Sequence, residues 1–398
     1  MKEEFFMKTT TENRINILYV TGTLFPLEVG GTPVAFKNIV NEISEDPKYN
    51  VTVYATSNEK IYKINMYHNI NSKFKLARQF HHLKDINSIF SQIQYSRLAL
   101  YENTNFDIIH FDIVPGARGF LPFKILKHRF PNSKFVLHMH GFVPYDSFLN
   151  GNKSVVHFVH WKLAEITFND FNCIVVNSTF MKDFVERKIQ GLSNLKVVPN
   201  SIDLDKWHTT KKTRLKGKTN IGFWGMLYPL KGVDNLIKAF SMCKSKDVHL
   251  YIIGDGTHKK YYMELVNLLG LQEQVTFTGY MYHDELLYLA NSVDFCVFPS
   301  IHEAFGIMVL EAMACKKPVI TLNNGGPKDI VTDGKEGYLV NTKDIKEMST
   351  KMNILINDIR LREIMGKEAY NTVQKFEIKE VGNQYKKLYS NLLEGRNK

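Results

Sequence analysis

The chain is divided near its middle by the turn-rich segment Pro199-Asn200-Ser201-Ile202-Asp203, which is followed by a basic, Thr- and Lys-rich stretch at 208–220. On each side of this segment, short β-branched runs alternate with longer amphipathic stretches. Strands that are apolar throughout and separated by helices predict parallel sheets that are covered on both faces. An eight-fold barrel is the alternative by strand count, but the break in the middle argues against it. The sequence therefore predicts an α/β fold with two doubly wound domains.

The predicted elements are as follows. In the first half, strands are expected at 15–20, 51–56, 106–111, 134–140, 173–178 and 195–198, and helices near 32–45, 75–102, 117–129, 154–169 and 179–190. In the second half, strands are expected at 220–224, 248–253, 274–278, 295–299, 318–322 and 337–340, and helices near 232–244, 258–269, 283–291, 306–315, 344–372 and 377–393.

The composition is that of an ordinary globular protein. Of the 398 residues, 44% are hydrophobic and 23% are charged, which excludes a wholly disordered or fibrous chain. No apolar run reaches the roughly 18 residues that a membrane-spanning helix needs, and the start is acidic where a signal peptide would be basic. The four cysteines are scattered with no CxxC pair, so neither a disulfide framework nor a zinc knuckle is indicated. We expect a cytoplasmic protein.

Positive charge is concentrated in one stretch. The formal net charge is +11, and residues 60–100 contain seven lysines and arginines against a single acidic residue, Asp85. Such a stretch could face nucleic acid, anionic lipid or an acidic acceptor. The alternative is a solvated helix face whose aromatic residues lie in the core.

Glycines follow several predicted strands, at the edge where open α/β sheets bind their ligands. Gly30-Gly31 and Gly254-Asp255-Gly256 would let backbone approach a phosphate or a nucleotide base, but tight turns without a ligand explain them equally well. Lys231, just before Gly232, lies where a cation would meet a diphosphate; a lone lysine near a helix start is otherwise simply solvated.

The most informative segment is Pro299-Ser300-Ile301-His302-Glu303-Ala304-Phe305-Gly306-Ile307-Met308-Val309-Leu310-Glu311. Glu303 lies in the loop after a strand, and Glu311 lies inside an apolar helix that should be buried. Burying a glutamate costs several kcal/mol unless it is hydrogen-bonded or paired, so Glu311 should have a polar partner. An internal salt bridge without a ligand role is the alternative.

Histidines cluster in His138-Met139-His140-Gly141, with His157 and His160 further along. A zinc site is conceivable, but no cysteine or carboxylate completes a known spacing. His140, at a predicted strand end, is better interpreted as a hydrogen-bonding or proton-handling group.

Taken together and in order, these residues resemble the retaining GT-B glycosyltransferases of the family-four type. The resemblance spans nearly the whole chain. Its motifs are Gly30-Gly31, the joint Val197–Asp203, Lys231-Gly232, Gly254-Asp255-Gly256, Phe277-Thr278-Gly279, the Glu303…Glu311 pair and Gly325-Gly326-Pro327.

The resemblance implies two Rossmann-like domains facing across a cleft: residues 1–199 on the acceptor side, joined by a C-terminal helix at 377–398 that crosses back, and residues 200–376 on the side of the nucleotide-sugar donor. The donor would be a nucleotide-diphospho-sugar, most simply a UDP-sugar, with no metal and no other cofactor. The implied donor-binding residues are Gly30, Gly31 and Lys231 at the diphosphate, Glu303 with Phe305 and Gly306 at the sugar, and Glu311 at the ribose. Gly254 would also bind the donor. His140, Glu303 and Lys231 would be the catalytic set.

One residue departs from the family pattern. The family has Gly-Arg where this chain has Gly225-Met226, so a cation for the diphosphate is missing. Arg118 could replace it, or activity is lower or absent. The acceptor would be a glycan or a lipid-linked saccharide, and Lys73, Lys75 and Arg78 of the basic stretch would dock it or an anionic membrane at the inner face. A nucleic-acid partner is not expected. A non-catalytic sugar-nucleotide-binding subunit and a nucleotide-sugar epimerase on the same scaffold are the alternatives.

Overall fold

A computed structural model describes residues 14–21, 31–57, 60–66, 75–76, 104–112, 120–141, 162, 165–189, 191–207, 211–342 and 344–395. The chain forms two compact units. The first takes in Met1–Val175, Gly191–Lys196 and Gly382–Lys398, and the second Val176–Gln190 and Val197–Val381. The segment Val176–Gln190, which the sequence placed in the first domain, therefore packs with the second unit.

The first sheet has eight strands in the order β4-β3-β2-β1-β5-β6-β7-β8. The strands are β1 (Ile15–Thr21), β2 (Tyr49–Ser57), β3 (Lys60–Met66), β4 (Lys75–Leu76), β5 (Ile108–Phe111), β6 (Lys134–Met139), β7 (Cys173–Val176) and β8 (Leu195–Val197). The helices along this part of the chain are α1 (Gly31–Ser44), α2 (Phe120–Arg129) and α3 (Thr179–Lys188). β1 pairs in parallel with β2 and β5, and β5 pairs in parallel with β6.

One edge of this sheet corrects the sequence prediction. β3 pairs antiparallel with β2, and β4 pairs antiparallel with β3, at the place where a helix over 75–102 was expected to begin. The sequence of β3 places Tyr62, Ile64 and Met66 in alternation with Lys63 and Asn65, a period of two that indicates a half-exposed strand. In the sequence this alternation lies within a stretch whose most evident feature is its positive charge. The remainder of the predicted helix lies outside the described residues.

The second sheet has six strands in the order β11-β10-β9-β12-β13-β14, and all its recorded pairings are parallel. The strands are β9 (Thr219–Trp224), β10 (Val248–Ile253), β11 (Val275–Gly279), β12 (Phe295–Phe298), β13 (Val319–Leu322) and β14 (Gly337–Val340). The helices are α4 (Val233–Ser241), α5 (Lys259–Leu268), α6 (His283–Ser292), α7 (Ile307–Ala314), α8 (Ile345–Asn357), α9 (Ile359–Val373) and α10 (Ile378–Glu394), with 3₁₀ turns at Pro229–Lys231, Gly326–Asp329 and Gln374–Phe376. Every residue of β9, β10, β12 and β13 is buried, as expected for a sheet covered on both faces.

The predicted helix over 344–372 is two helices. It is interrupted at Asp358, which leaves the helical conformation and whose carboxylate accepts a hydrogen bond from the Leu361 amide to cap α9. An aspartate inside an amphipathic stretch is a cap signal, because its side chain satisfies an amide that the first turn leaves unpaired.

The chain ends in α10, most of which belongs to the first unit. Tyr385 and Tyr389 are completely buried there, and the Tyr389 hydroxyl lies 2.9 Å from the hydroxyl of Tyr19 on β1. Lys386 donates to Glu42 of α1 over 2.8 Å. The amphipathic stretch at 377–393 thus forms a helix, as predicted, and one face of this helix lies in the core of the first unit. Within the described residues, no helix has the length and apolar character needed to cross a bilayer.

Candidate functional site

The loops after β9 and β10 are packed backbone against backbone. Gly254 has a φ of +131°, and a Cβ atom there would lie 2.0 Å from the carbonyl oxygen of Gly225. The Gly254 amide donates to the Gly279 carbonyl at 2.8 Å, which ties in the end of β11. The glycine is therefore required by the close approach of neighbouring loops at the carboxyl edge of the sheet. Its predicted contact with a donor stays a prediction.

Lys231 and Glu303 form an ion pair at this edge of the second sheet. Lys231 ends the 3₁₀ turn that leads into α4, Glu303 lies in the loop between β12 and α7, and Nζ is 2.6 Å from Oε2. Both side chains are mostly covered, with 18% and 16% of their surface exposed. Two residues that the sequence named for separate roles, one at the diphosphate and one at the sugar, are therefore in direct contact.

Two glycines fix the backbone of Glu303. Gly326 donates its amide to the Glu303 carbonyl at 2.9 Å, and a Cβ atom on Gly325 would lie 2.4 Å from the same oxygen. The loop after β13 thus packs directly on the loop that carries Glu303. The sequence analysis gives Gly325-Gly326 only as a motif of the family resemblance, and in the structure both glycines pack against the backbone of Glu303.

Glu311 lies inside α7 and does have a polar partner, as predicted. The indole Nε1 of Trp224 donates to its Oε2 at 2.7 Å. Burial raises the pKa of Glu311 to about 7, and the hydrogen bond from Trp224 only partly opposes this. No salt bridge to Glu311 is found among the described side chains. The partner found in the described part of the chain is therefore a neutral donor and not the cation of a salt bridge. Trp224, the last residue of β9, was not singled out from the sequence.

The two other residues named at this segment have different surroundings. Gly306 precedes α7 with a φ of +101°, and no side-chain cap accepts a hydrogen bond from the first-turn amides of α7. Phe305 is buried and packs edge-on against Phe376, with ring centroids 6.0 Å apart. Only its backbone amide could therefore meet a ligand.

In the first unit, His140 belongs to a buried polar cluster. Its Nε2 lies 2.5 Å from Oδ1 of Asp112, and the hydroxyl of Thr21 donates to Oδ2 of Asp112 at 3.0 Å. The ring of His138 packs on that of His140, with centroids 3.8 Å apart. Asp112 is not among the residues singled out from the sequence. Its position could have indicated it, because Asp112 directly follows the buried strand β5, as His140 follows β6.

Ligand atoms of Asp112, His138 and His140 all lie within 4.8 Å of one another, so a carboxylate does join the two histidines. This carboxylate was not expected, because its spacing from the two histidines in the sequence matches no known zinc motif. Two atoms bound to one zinc at 2.0–2.2 Å in tetrahedral geometry would be about 3.3 Å apart. The 2.5 Å between Asp112 and His140 is instead the length of a short hydrogen bond. The absence of a metal from the proposed reaction stays a prediction.

Six of the predicted residues lie outside the part of the chain that the structure describes: Gly30, Lys73, Arg78, Arg118, His157 and His160. Lys75 begins β4, but its side chain is outside them too, and Gly31 is the first residue of α1. Met226, where the family carries arginine, is described, and 56% of its surface is exposed.

Comparison with known proteins agrees with this architecture. Residues 29–206 match the sequence model of Glycosyltransferase Family 4, and residues 205–372 match that of Glycosyl transferases group 1. An uncharacterized glycosyltransferase of Methanocaldococcus jannaschii is 26% identical over 371 residues, which cover 92% of this chain and 95% of that protein.

Solved structures show the same fold. The sucrose-phosphate synthase of Thermosynechococcus elongatus has a TM-score of 0.76 at 18% identity, over 96% of this chain and all of that one. The Anabaena protein HepE in complex with UDP-glucose has a TM-score of 0.72 at 18% identity, over 95% of this chain and all of that one. With both family models matched in succession along two α/β units, the chain belongs to the GT-B glycosyltransferases, with a Family 4 N-terminal part and a group 1 C-terminal part.

Proposed function

We propose that this glycosyltransferase transfers a hexose from a UDP-sugar to a glycan or glycolipid acceptor, with retention of anomeric configuration and without a metal ion. The observation that carries the proposal is the Lys231–Glu303 pair at the carboxyl edge of the second sheet, with Glu311 on the helix behind it. A solved structure of the same fold was determined with UDP-glucose, which supports the choice of uridine.

The chemistry of the pair suits a nucleotide-diphospho-sugar. Breaking the bond between the sugar and the diphosphate develops negative charge on the leaving group and positive charge on the sugar. Lys231 supplies a cation, and the uncapped first turn of α7 supplies amides, for the developing negative charge. Glu303 offers carboxylate oxygens to sugar hydroxyls. Before the donor binds, the ion pair keeps the side chains of Lys231 and Glu303 in place. When the donor binds, Lys231 releases Glu303 and pairs with the diphosphate.

Glu311 would bind the ribose hydroxyls. A carboxylate accepts two hydrogen bonds from a vicinal diol, and ionised acceptors make the stronger bonds. Because burial raises the pKa of Glu311 to about 7, nucleotide binding should strengthen as the pH rises through that value.

Retention is proposed to follow a front-face route, in which donor and acceptor react on the same side of the sugar. The sequence offers no carboxylate that we can assign as a nucleophile. A glycosyl adduct trapped on an aspartate or glutamate would contradict this part of the proposal.

A non-catalytic, sugar-nucleotide-binding subunit is the second candidate, and Met226 favours it. Losing a charge-assisted hydrogen bond to the diphosphate costs about 1.5–3 kcal/mol. Arg118 is the replacement cation that we propose from the sequence.

The basic stretch around Lys73, Lys75 and Arg78 is proposed to dock an anionic membrane or a lipid-linked acceptor. Flotation with acidic and with neutral liposomes tests this proposal.

The experiment that tests the proposed function is calorimetric titration with UDP, GDP and ADP in the presence of a chelator. We expect UDP to bind, and Glu311→Gln to weaken its binding about tenfold. Glu336→Gln is the matched control, because Glu336 is a buried glutamate of the same unit whose carboxylate accepts hydrogen bonds from the Thr332 amide and the Thr372 hydroxyl instead. If a folded protein binds none of the three nucleotides, the donor site is wrong.

A further inference from the structure

Asp112 and His140 each directly follow a strand of the first sheet. β5 and β6 are parallel, with Phe111 opposite Leu137, and Asp112 and His140 lie just beyond the ends of the two strands. Their side chains meet at this edge, where Nε2 of His140 lies 2.5 Å from Oδ1 of Asp112. Both are almost fully covered, with exposed side-chain fractions of 6% and 1%.

Asp112 is itself held by β1. Its amide donates to the carbonyl of Val20 at 2.9 Å, and the Thr21 hydroxyl donates to its Oδ2 at 3.0 Å. One carboxylate oxygen is thus bound to Thr21 and the other to His140. A side chain fixed at its backbone and at both oxygens can orient the ring that it binds.

The face of the His140 ring is fixed by a second set of residues. His138 packs on it, and the hydroxyl of Tyr385 from α10 lies 3.2 Å from Nδ1 of His138. Behind them, Nδ1 of His110 lies 2.7 Å from the hydroxyl of Tyr389, which also contacts Tyr19.

The histidines and tyrosines packed around Asp112 and His140 are uncharged. Burial lowers the pKa of His110 to about 3 and that of His138 well below its ordinary value, so both are neutral. Burial raises the pKa of Tyr19, Tyr385 and Tyr389, so these hydroxyls are neutral too. Burial also raises the pKa of Asp112, and the contact with His140 opposes that rise.

We infer that Asp112 is the positioning residue for His140: its Oδ1 accepts the hydrogen bond of Nε2–H and thereby fixes the tautomer and the orientation of the imidazole ring. The hydrogen bond made by one imidazole nitrogen sets which tautomer and which ring orientation the other can offer. Without Asp112, the ring could rotate about its bonds or move its proton, and the substrate would meet a mixture of donors and acceptors. The catalytic part of this inference rests on the proposed function.

The first test observes the ring without using activity. In protein labelled with ring-¹⁵N histidine, two-bond nitrogen–proton correlations distinguish a proton-bearing nitrogen from a bare one, and His140→Gln identifies the signals. We expect the wild-type Nε2 to carry a proton and Asp112→Ala to give a mixture of tautomers. Tyr389→Phe is the control, because it removes a hydroxyl from the same cluster that bonds to Tyr19 and His110 instead. A bare Nε2 in the wild type, or an unchanged spectrum in Asp112→Ala, would overturn the inference.

The second test uses hydrolysis of UDP-glucose as the probe reaction. Asp112→Ala should lower kcat about 10- to 100-fold while the donor KM stays within about threefold, since misplacement of a catalytic group acts on the chemical step. Asp112→Asn, which can still accept from Nε2–H, should recover part of the loss. In the double variant Asp112→Ala/His140→Ala, the loss should equal that of His140→Ala alone; additive losses would contradict a role through His140.

Two further results would distinguish a metal site, or a failure of the proposed function, from the positioning role of Asp112. One equivalent of zinc in the purified protein that disappears in both Asp112→Ala and His138→Gln would make these side chains metal ligands and overturn the inference. If the spectrum is as expected but neither UDP-glucose nor the corresponding GDP- and ADP-sugars are turned over, the proposed function fails while the Asp112–His140 pairing stands.

Discussion

At the scale of single residues, two glutamates of the second unit have pKa values that are shifted in opposite directions. Glu311 has one neutral donor, the indole of Trp224, and burial raises its pKa to about 7. Burial also acts on Glu336, but hydrogen bonds from Thr372 and Thr332 and the nearby Lys335 outweigh it and lower the pKa of that carboxyl. The number of donors that reach a buried carboxylate decides which form the fold stabilises.

Glu311 should make the stability of the second unit depend on pH. The folded protein holds a proton on Glu311 that the unfolded chain releases above its ordinary pKa of 4.5. This contribution is therefore full below 4.5 and is lost as the pH rises through about 7. Compared with the wild type, Glu311→Gln should gain up to roughly 3 kcal/mol in free energy of unfolding between pH 5 and pH 8.

Urea unfolding at the two pH values measures this gain. Glu336→Gln is the control: because the pKa of Glu336 is lowered, its contribution is present above 4.5 and lost only in more acidic solution, so the difference from the wild type should be constant between pH 5 and pH 8. A Glu311→Gln difference that is equally flat would show that Glu311 is ionised throughout.

Lys231 should be essential for transfer and dispensable for folding. Lys231→Ala removes the cation proposed for the diphosphate, and we expect donor turnover to fall at least 100-fold. Lys238→Ala is the matched control, since Lys238 pairs with Asp234 on the surface of the adjoining helix α4. Circular dichroism and thermal unfolding should show both variants folded. Wild-type turnover in Lys231→Ala would place the diphosphate elsewhere.

At the scale of elements, the loops that follow the strands of the second sheet determine the geometry of the site. Two of these loops approach a neighbour through glycine, at Gly254 against Gly225 and at Gly325 against Glu303. Strand and helix periods were visible in the sequence because they depend on residues close in the chain. The antiparallel edge strand β3 and the interruption at Asp358 were missed, because a charged run and a long amphipathic stretch masked their local signals.

Gly232, which joins Lys231 to α4, provides a test of this close approach. Gly232 and Gly270 have nearly the same φ, +67° and +68°, but a Cβ atom would lie 2.1 Å from the Pro299 carbonyl oxygen at Gly232 and would meet nothing within 4 Å at Gly270. Gly270→Ala should cost about 1–2 kcal/mol for the left-handed backbone alone. Gly232→Ala should cost a further 1–3 kcal/mol, because the clash is with backbone.

Urea unfolding measures both variants. Because the Gly232–Pro299 contact joins the loop after β12 to the turn of Lys231, Gly232→Ala should also weaken binding of UDP, and Gly270→Ala should leave it unchanged. Equal losses of stability in the two variants would show that the loop after β12 moves away freely and does not hold Lys231 in place.

At the scale of the whole molecule, the chain forms two units, and its last helix returns to the first of them. The hydroxyl of Tyr389 on α10 makes hydrogen bonds with the hydroxyl of Tyr19 and with Nδ1 of His110. The helix α10 therefore completes the buried polar cluster of the first unit. The second unit has its own core around the six-stranded sheet. Units with separate cores can unfold in separate transitions.

Matched tyrosine variants should move these transitions one at a time. Tyr389→Phe removes a buried hydroxyl from the first unit, and Tyr262→Phe removes one that donates to the Tyr228 carbonyl at 3.1 Å in the second. Each should lower the free energy of unfolding of its own unit by about 0.5–1.5 kcal/mol, because a hydrogen bond of a covered hydroxyl is lost. Scanning calorimetry measures both transitions. A single transition that both variants shift equally would contradict separate unfolding.

The amino-acid sequence by itself determined the α/β class, the break near Pro199, and the candidates Lys231, Glu303, Glu311 and His140, because period, composition and motif order are local properties. Only the tertiary structure decided what these side chains contact. Trp224 and Glu311 are 87 residues apart in the chain, Lys231 and Glu303 are 72 apart, and Asp112 and His140 are 28 apart. Such contacts depend on the strand order and on which loops meet at the carboxyl edge of each sheet. Those are set by the packing of whole elements, which no pattern along the chain records.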